Sequence, residues 1–248
     1  DGTNYVGWQI QQNGPSIQGR LQLALAELLG RPTQVLGAAR TDSGVHALGQ
    51  VACFDTERLL PMKAYWMGLS GLLPEDIAVV SAEEVAADFD PRRGAAGKRY
   101  RYVIGNRRTR SPLRRLSHWE IFQPLSVQAM REASAPLLGR HDFSAFRASD
   151  CQARHAVREL RQVEVSGEGG DEIRIDVEGT AFVKHMVRNI AGTLVEVGKA
   201  RHGPGWVREV LDSKDRTRAG PTAPAHGLTL IEVLYRGAPA EGDDGEDA

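Results

Sequence analysis

Segments with a two-residue hydrophobic period and segments with a helical period alternate along this chain without a strict strand–helix–strand repeat. The helical pattern predicts helices over 17–29, 62–73, 125–138, 183–197 and 206–213. The alternating pattern predicts strands over 35–39, 50–55, 77–81, 98–104, 163–165, 173–177 and 228–235. This mixture, with neither a dinucleotide-binding glycine motif nor a Walker A loop, is typical of an α+β fold built on an antiparallel sheet.

The chain divides near residue 100 into two halves that each resemble a strand–helix–strand unit. We therefore expect a two-lobed molecule with a cleft, with one lobe over 1–100 and the other over 101–235. Residues 236–248 carry five acidic residues and one arginine, and we expect them to form a disordered, solvated tail.

Composition excludes several classes of protein. The chain has 248 residues, of which 41% are hydrophobic and 25% are charged, so an intrinsically disordered chain is excluded. No apolar run approaches the roughly 20 residues needed to cross a bilayer, so we expect no membrane association. The two cysteines, Cys53 and Cys151, have no zinc-site spacing, and the chain opens on no signal peptide. These features favour the cytoplasm. The chain lacks an initiator methionine, and whether a first strand is missing from it stays open.

The net charge of −1 hides an uneven distribution. The acidic tail masks a body of net charge +3, and residues 92–115 hold ten lysines and arginines with no acidic residue. A solvated surface usually mixes both signs, whereas a run of one sign repels itself unless an anion neutralises it. Because nine of the ten are arginines, which form bidentate contacts with phosphate, the run favours a nucleic-acid partner over a merely solvated face.

The segment Arg40-Thr41-Asp42-Ser43-Gly44 is the main candidate for chemistry. An Asp-Ser-Gly sequence is most often an Asx turn, but here it follows a buried-looking strand, where loops present functional groups. His46 lies four residues after Asp42. No cysteine or second histidine stands at a ligand spacing, so we expect no metal.

Two later segments combine basic and apolar residues. Residues 182–189 place Lys184, His185 and Arg188 where one helical face carries positive charge, although a solvated polar stripe explains them equally well. Residues 141–147 interleave Arg147 with two phenylalanines, a pattern that suits RNA or, alternatively, a core pair.

Five ordered segments together resemble the TruA family of tRNA pseudouridine synthases over about residues 1–235. Residues 1–9 resemble the end of the family's opening motif, and residues 37–47 resemble its Gly-Arg-Thr-Asp-x-Gly-Val-His signature, with Ala39 in place of the glycine. Residues 98–102, 142–147 and 182–189 match three further motifs.

The resemblance implies an activity. The family isomerises uridine to pseudouridine on the 3′ side of the anticodon stem-loop, at positions 38–40 of tRNA, without a cofactor. It also implies two ferredoxin-like, RNA-recognition-like lobes that share a continuous antiparallel sheet with a central cleft, and a homodimer that binds tRNA.

The resemblance also assigns roles to residues. Asp42 is the expected catalytic carboxylate, Arg188 its cationic partner and Tyr100 the ring that stacks on the extracted base. Arg40 is expected to hold the flipped nucleotide or the space that it leaves, and His46 to contact the substrate. The expected RNA-binding residues are Arg92, Arg93, Lys98, Arg99, Arg107, Arg108, Arg110, Arg114, Arg147 and Lys184.

Several alternatives stay open. A non-catalytic RNA-binding protein needs the basic run but not Asp42, whereas an RNA hydrolase needs a second acid, a histidine pair or a metal. The same chemistry at other uridines remains an alternative within the family. Asp42 attacks C1′ in one mechanism and removes a proton from C2′ in the other, and the sequence does not choose between them.

Overall fold

The computed structural model describes residues 1–167 and 169–236. Most of the predicted tail, 237–248, lies outside the described residues. The helices are α1 (Ile17–Leu29), α2 (Leu69–Leu72), α3 (Val127–Ser134), α4 (Met186–Gly198) and α5 (Trp206–Ser213). The strands are β1 (Leu36–Gly37), β2 (His46–Ala47), β3 (Ala52–Cys53), β4 (Ala95–Asn106), β5 (Trp119–Ile121), β6 (Gly139–Asp142), β7 (Val157–Ser166), β8 (Glu172–Gly179) and β9 (Leu228–Tyr235).

The fold is α+β, as predicted. Among the described residues, seven strands form one sheet in the order β2-β9-β4-β8-β7-β6, with β5 attached to β4. The expectation of a wholly antiparallel sheet is corrected, because the short pairs β2–β9 and β4–β5 are parallel. Both parallel partners are two- or three-residue segments that join an end of a long strand, so their sequences carry too little alternation to reveal them.

Two apolar cores are present among the described residues. The larger lies between the sheet and helices α3 to α5 and contains Tyr102, Ile104, Met130, Phe146 and Ile190, all completely buried. The smaller core packs α1 and α2 around residues of the N-terminal half, including Trp8, Leu25, Val35, Tyr65 and Leu69. Within the described residues, β2 and the first residues of β4 are the parts of 1–100 that join the large sheet.

The N-terminal half departs most from the predicted elements. The strand predicted over 77–81 is wrong, because the Ser70 hydroxyl hydrogen-bonds both the N–H and the carbonyl of Val79 and so replaces a strand partner. The helix predicted over 62–73 is present as a continuous helical run over 62–72, although Ala64–Gly68 forms a π-helical turn before the short α2. In the C-terminal half, α5 and β9 begin and end where the hydrophobic pattern predicts.

No helix within the described part of the chain is both long and apolar enough to cross a membrane.

Candidate active site

Asp42 lies on a loop that the first residues of the chain hold in place. The Trp8 N–H donates to the carbonyl of Thr41 (3.2 Å). On the other side of Asp42, the Tyr5 carbonyl accepts from the N–H of Gly44 (3.3 Å). A turn follows, in which the Val45 N–H donates to the Asp42 carbonyl (3.1 Å). The backbone on both sides of Asp42 is therefore fixed by hydrogen bonds, which orients its side chain.

Two glycines permit this close approach. Gly7 has φ +103°, and a Cβ there would lie 2.3 Å from the Thr41 carbonyl oxygen, so both its conformation and its contact demand glycine. A Cβ on Gly37 would lie 2.3 Å from the Trp8 ring, so this glycine lets the ring lie directly against the backbone at the start of the Asp42 loop.

The Asp42 carboxylate faces two side chains from the N-terminal end of α4. Its Oδ2 lies 3.4 Å from Nη1 of Arg188 and 3.4 Å from Nε2 of His185. The Asp42 side chain is 25% exposed and that of Arg188 is 14% exposed, so the pair is partly shielded from water while the carboxylate remains accessible. The sequence-based pairing of Asp42 with Arg188 is present in the structure.

Arg188 is oriented by a second contact. Its Nε donates to the carbonyl of Ala223 (2.8 Å), and the Ala223 N–H donates back to the Arg188 carbonyl (3.1 Å). The guanidinium therefore bridges the segment around Ala223 and Asp42, a geometry that its rigid fork of donors supports and that a single ammonium group does not.

His185 is a site residue that the sequence analysis did not assign. It has φ 63°, in the left-handed region, and directly precedes α4, which begins later than the predicted residue 183. Burial lowers the pKa of His185, although the nearby Asp42 opposes this shift. The imidazole is therefore neutral at pH 7, and Arg188 is the cation that faces Asp42. The sequence signal that could have identified His185 is its position next to Lys184 in the basic segment.

Tyr100 lies on β4, only 7% exposed, with its ring 5.0 Å edge-on from the ring of Phe182. Burial, and to a lesser degree the charge of Asp42, raise the pKa of its phenol, so Tyr100 stays protonated at neutral pH. The structure thus brings Tyr100, Asp42 and Arg188 together, from β4, the loop before β2 and α4.

The two other predicted substrate-binding residues, Arg40 and His46, differ in whether their side chains already have partners. Arg40 is exposed and has no hydrogen-bond or ion-pair partner among the described residues, so its guanidinium is available. His46 accepts from the Gly2 N–H at Nδ1 (3.1 Å) and bonds the Leu116 carbonyl through Nε2 (2.7 Å), so both ring nitrogens are already engaged.

Acidic residues from neighbouring strands neutralise part of the basic run, which corrects the expectation that an external anion must do so. Arg99 pairs with Glu178 on β8 (3.0 Å) and Glu232 on β9 (3.3 Å). Arg114 pairs with Glu172 (3.3 Å). Lys184, in the later basic segment, pairs with Asp150 (2.5 Å), which raises the pKa of its ammonium group.

The remaining predicted RNA-binding residues are less engaged. Arg108 and Arg110 are exposed and have no ion-pair partner among the described residues, and Arg93 lies 3.7 Å from Asp90 with its side chain 90% exposed. Three others are half-buried, and burial lowers the pKa of the first of them: Lys98, Arg107 and Arg147. Arg92 is exposed, next to Arg93.

Comparison with known proteins identifies the family of this chain. A sequence model of a family described as tRNA pseudouridine synthase matches residues 1–92 and 133–236. A tRNA pseudouridine synthase A of Myxococcus xanthus is 67% identical over 239 residues, which cover 96% of this chain and 90% of that protein. Proteins of the same name from Geotalea uraniireducens and Geobacter sulfurreducens are 49% and 47% identical, each over 95% of this chain and 96% of their own length. The chain therefore belongs to the TruA family of tRNA pseudouridine synthases, which are isomerases that act on tRNA.

Proposed function

We propose that this chain converts uridine to pseudouridine on the 3′ side of the anticodon stem-loop, at positions 38–40 of tRNA, with Asp42 as the catalytic carboxylate. The observation that carries the proposal is the Asp42 carboxylate held 3.4 Å from Arg188, in a partly exposed site beside the buried Tyr100.

The chemistry needs one carboxylate. The C1′–N1 glycosidic bond breaks, the uracil turns, C5 bonds to C1′, and the proton on C5 leaves to solvent while N1 takes up a proton. Asp42 either attacks C1′ or takes a proton from C2′, and both routes start from an ionised carboxylate. No group is added or lost overall, so the second carboxylate that a glycosidase uses to activate water is not needed.

The target uridine must leave its stack before Asp42 can reach it. We propose that Tyr100 packs against the extracted base and that the free guanidinium of Arg40 holds the flipped nucleotide or occupies its place. The position of Tyr100 beside Asp42 and the lack of an Arg40 partner among the described residues support these roles.

The rest of the RNA is expected to lie on the basic residues without acidic partners among the described residues, chiefly Arg108 and Arg110, with Arg92, Arg107 and Arg147 in support. Arg93 is expected to contribute as well, because its contact with Asp90 is long, at 3.7 Å, and its side chain is 90% exposed. Paired residues such as Arg99, Arg114 and Lys184 contribute less, because an RNA phosphate must compete with a carboxylate already bound. His46, whose ring nitrogens are engaged, would act on the substrate by positioning the Asp42 loop.

We also propose that the chain works in the cytoplasm as a homodimer built from two ferredoxin-like lobes, 1–100 and 101–235. The smaller apolar core, which is formed entirely by residues within 1–100, supports a separate N-terminal lobe, and sedimentation equilibrium measures the oligomeric state.

The decisive experiment uses unmodified tRNA that carries tritium at C5 of uridine. The wild-type chain should release tritium to water, because the new bond from C5 to C1′ replaces the bond from C5 to tritium. Asp42→Asn should lower the release rate by at least about 1,000-fold while tRNA binding stays within about 3-fold, because the variant lacks only the reacting carboxylate.

Both halves of this result matter. Tritium release by Asp42→Asn at the wild-type rate would refute the role of Asp42. Binding of tRNA by the wild-type chain without release from any of several tRNAs would instead favour a binding protein.

A further inference from the structure

A groove of about 550 Å³ lies at the parallel β4–β5 edge of the sheet. Six of the residues that line it can contact a polar ligand or stack on one: Arg110, Arg115, His118, Trp119, Glu120 and His226. Its volume lies within the range of pockets that hold a small organic ligand.

The groove is connected to the Asp42 site by one short segment. Ala223, at one end, accepts the hydrogen bond of Arg188. A Cβ on Gly44, two residues after Asp42, would lie 3.3 Å from the Cβ of Ala225. His226, the next residue, lines the groove and bonds the His118 carbonyl through Nε2 (2.9 Å). Because three residues span at most about 10 Å, the groove lies beside the candidate catalytic carboxylate.

The mouth of the groove is cationic. Arg110 and Arg115 are both exposed. Arg110 has no partner among the described residues, whereas Arg115 uses Nη1 to donate to the Pro112 carbonyl (2.9 Å) and keeps its other donors. Two guanidinium groups at one mouth form the arrangement that binds a phosphate with several charge-assisted hydrogen bonds.

The interior of the groove offers a ring and acceptors. Trp119 is half-buried, with one edge against Tyr102 at a centroid distance of 6.2 Å. Burial lowers the pKa of His226, which leaves a neutral ring whose Nδ1 can accept a hydrogen bond. Glu120 accepts the Ser111 N–H at Oε1 (2.8 Å), and its Oε2 is buried without a hydrogen-bond partner among the described residues. Its charge is therefore not presented at the mouth.

Resting on the proposed function, we infer that this groove binds a nucleotide that flanks the target uridine in the substrate RNA. Arg110 and Arg115 hold its phosphate at the mouth, and its base lies against Trp119 and His226. The groove thereby fixes the register of the RNA and selects which uridine reaches Asp42.

The test pairs a variant of the protein with a variant of the RNA. Stem-loop RNAs with 5-tritiated uridine at the target receive one uncharged methylphosphonate at each linkage around that uridine in turn. The wild-type chain is compared with the double variant Arg110→Gln/Arg115→Gln. Arg140→Gln is the control, since it removes the charge of an exposed arginine on β6, outside the groove.

We expect the double variant to lose about 10- to 100-fold in kcat/KM, the range for charged hydrogen bonds, and Arg140→Gln to lose less than about 2-fold. One methylphosphonate position should cost the wild-type chain a similar factor and cost the double variant almost nothing further, because both changes remove the same contact. Substitution of an exposed arginine changes the stability of a fold little, and thermal unfolding of each variant checks this.

The inference is overturned if the double variant behaves like Arg140→Gln, or if every methylphosphonate costs it as much as it costs the wild-type chain. Filter binding of the same RNAs provides a separate readout. A wild-type chain that binds the stem-loop but releases no tritium would refute the proposed function. Coupling between the double variant and one methylphosphonate position, measured by filter binding, would then still test whether the groove binds a nucleotide.

Discussion

At the scale of single residues, the charge state of the Asp42 site depends on which partner is permanently ionised. Arg188 carries its charge at every accessible pH, whereas burial keeps His185 neutral at pH 7. One carboxylate therefore faces one cation, and the second contact of Arg188, with Ala223, fixes the direction of the guanidinium.

Replacing Arg188 separates its charge from its geometry. Arg188→Gln should lower the single-turnover rate of tritium release about 100-fold, since it removes a pre-oriented electrostatic partner of the reacting carboxylate. Arg188→Lys keeps the charge but cannot bridge Asp42 and Ala223, so its rate of tritium release should lie between those of Arg188→Gln and the wild-type chain. A glutamine variant that reacts at the wild-type rate would contradict the proposed role of the pair.

At the scale of elements, α4 is tightly joined to residues 216–223, which carry Ala223. The buried Asn189 accepts from Arg216 (3.1 Å) and Thr222 (2.7 Å), and the Gly220 N–H donates to Thr193 (3.0 Å). Gly192 makes this contact possible, since a Cβ there would lie 1.7 Å from the Pro221 carbonyl oxygen. The Arg188 position thus depends on the packing of a whole helix.

Two glycine substitutions test this packing. Gly192→Ala should lower the free energy of unfolding by about 3 kcal/mol, because α4 or residues 220–223 must move. It should also slow tritium release, since Ala223 moves with them. Gly71→Ala, in α2 with no atom within 4 Å of a new Cβ, is the matched control and should raise stability by about 0.5 kcal/mol. Urea unfolding measures both, and equal effects would refute the packing argument.

The pairing of β4 with its neighbours divides the basic run into arginines that have acidic partners and arginines that have none among the described residues. Arg108→Gln should reduce the slope of log Kd for tRNA against log salt by about 0.7 to 0.9, the value for one phosphate contact. Arg99→Gln should leave this slope unchanged, since Arg99 already pairs with Glu178 and Glu232. Equal changes in slope would show that the strand ion pairs open when RNA binds.

At the scale of the whole molecule, the candidate site is assembled from distant parts of the chain. Asp42 and Arg188 are 146 positions apart. Close to this pair, two histidines join further distant segments to one another. His46 joins β2 to Leu116, and His226 joins the Ala223 segment to His118. These junctions are expected to weaken together when the histidines become protonated.

Acidification should therefore destabilise the fold. Burial lowers the pKa of His46, His185 and His226 below their ordinary value of about 6.5, so the folded chain binds fewer protons than the unfolded chain in that range. The free energy of unfolding should then fall as the pH drops from 7 to 5. Urea unfolding at pH 7.5, 6.5 and 5.5 measures this.

A histidine variant assigns the effect to its source. His226→Gln should reduce the pH dependence between 7.5 and 5.5, whereas His155→Gln, at an exposed position, should not. A chain that becomes more stable on acidification in this window would contradict the assignment.

Local patterns predicted much of this protein. α5 and β9 begin and end where their hydrophobic period does, because each has one buried face long enough to impose a repeat. The resemblance to the TruA family assigned Asp42, Tyr100 and Arg188 to the site, and the structure places these three residues near one another.

Only the tertiary structure decided the rest. The short β2, β5 and β6 and the position of His185 depend on partners in other segments of the chain. The Ser70 contact that replaces the predicted strand over 77–81 joins residues only nine positions apart, but it depends on a side chain outside the predicted strand. The basic run shows the reason most clearly. Its sequence contains no acid over 92–115, yet strand register places Glu178 and Glu232 against Arg99. The sequence determines which charges and which hydrophobic period a segment has, whereas the fold decides which other segment neutralises those charges.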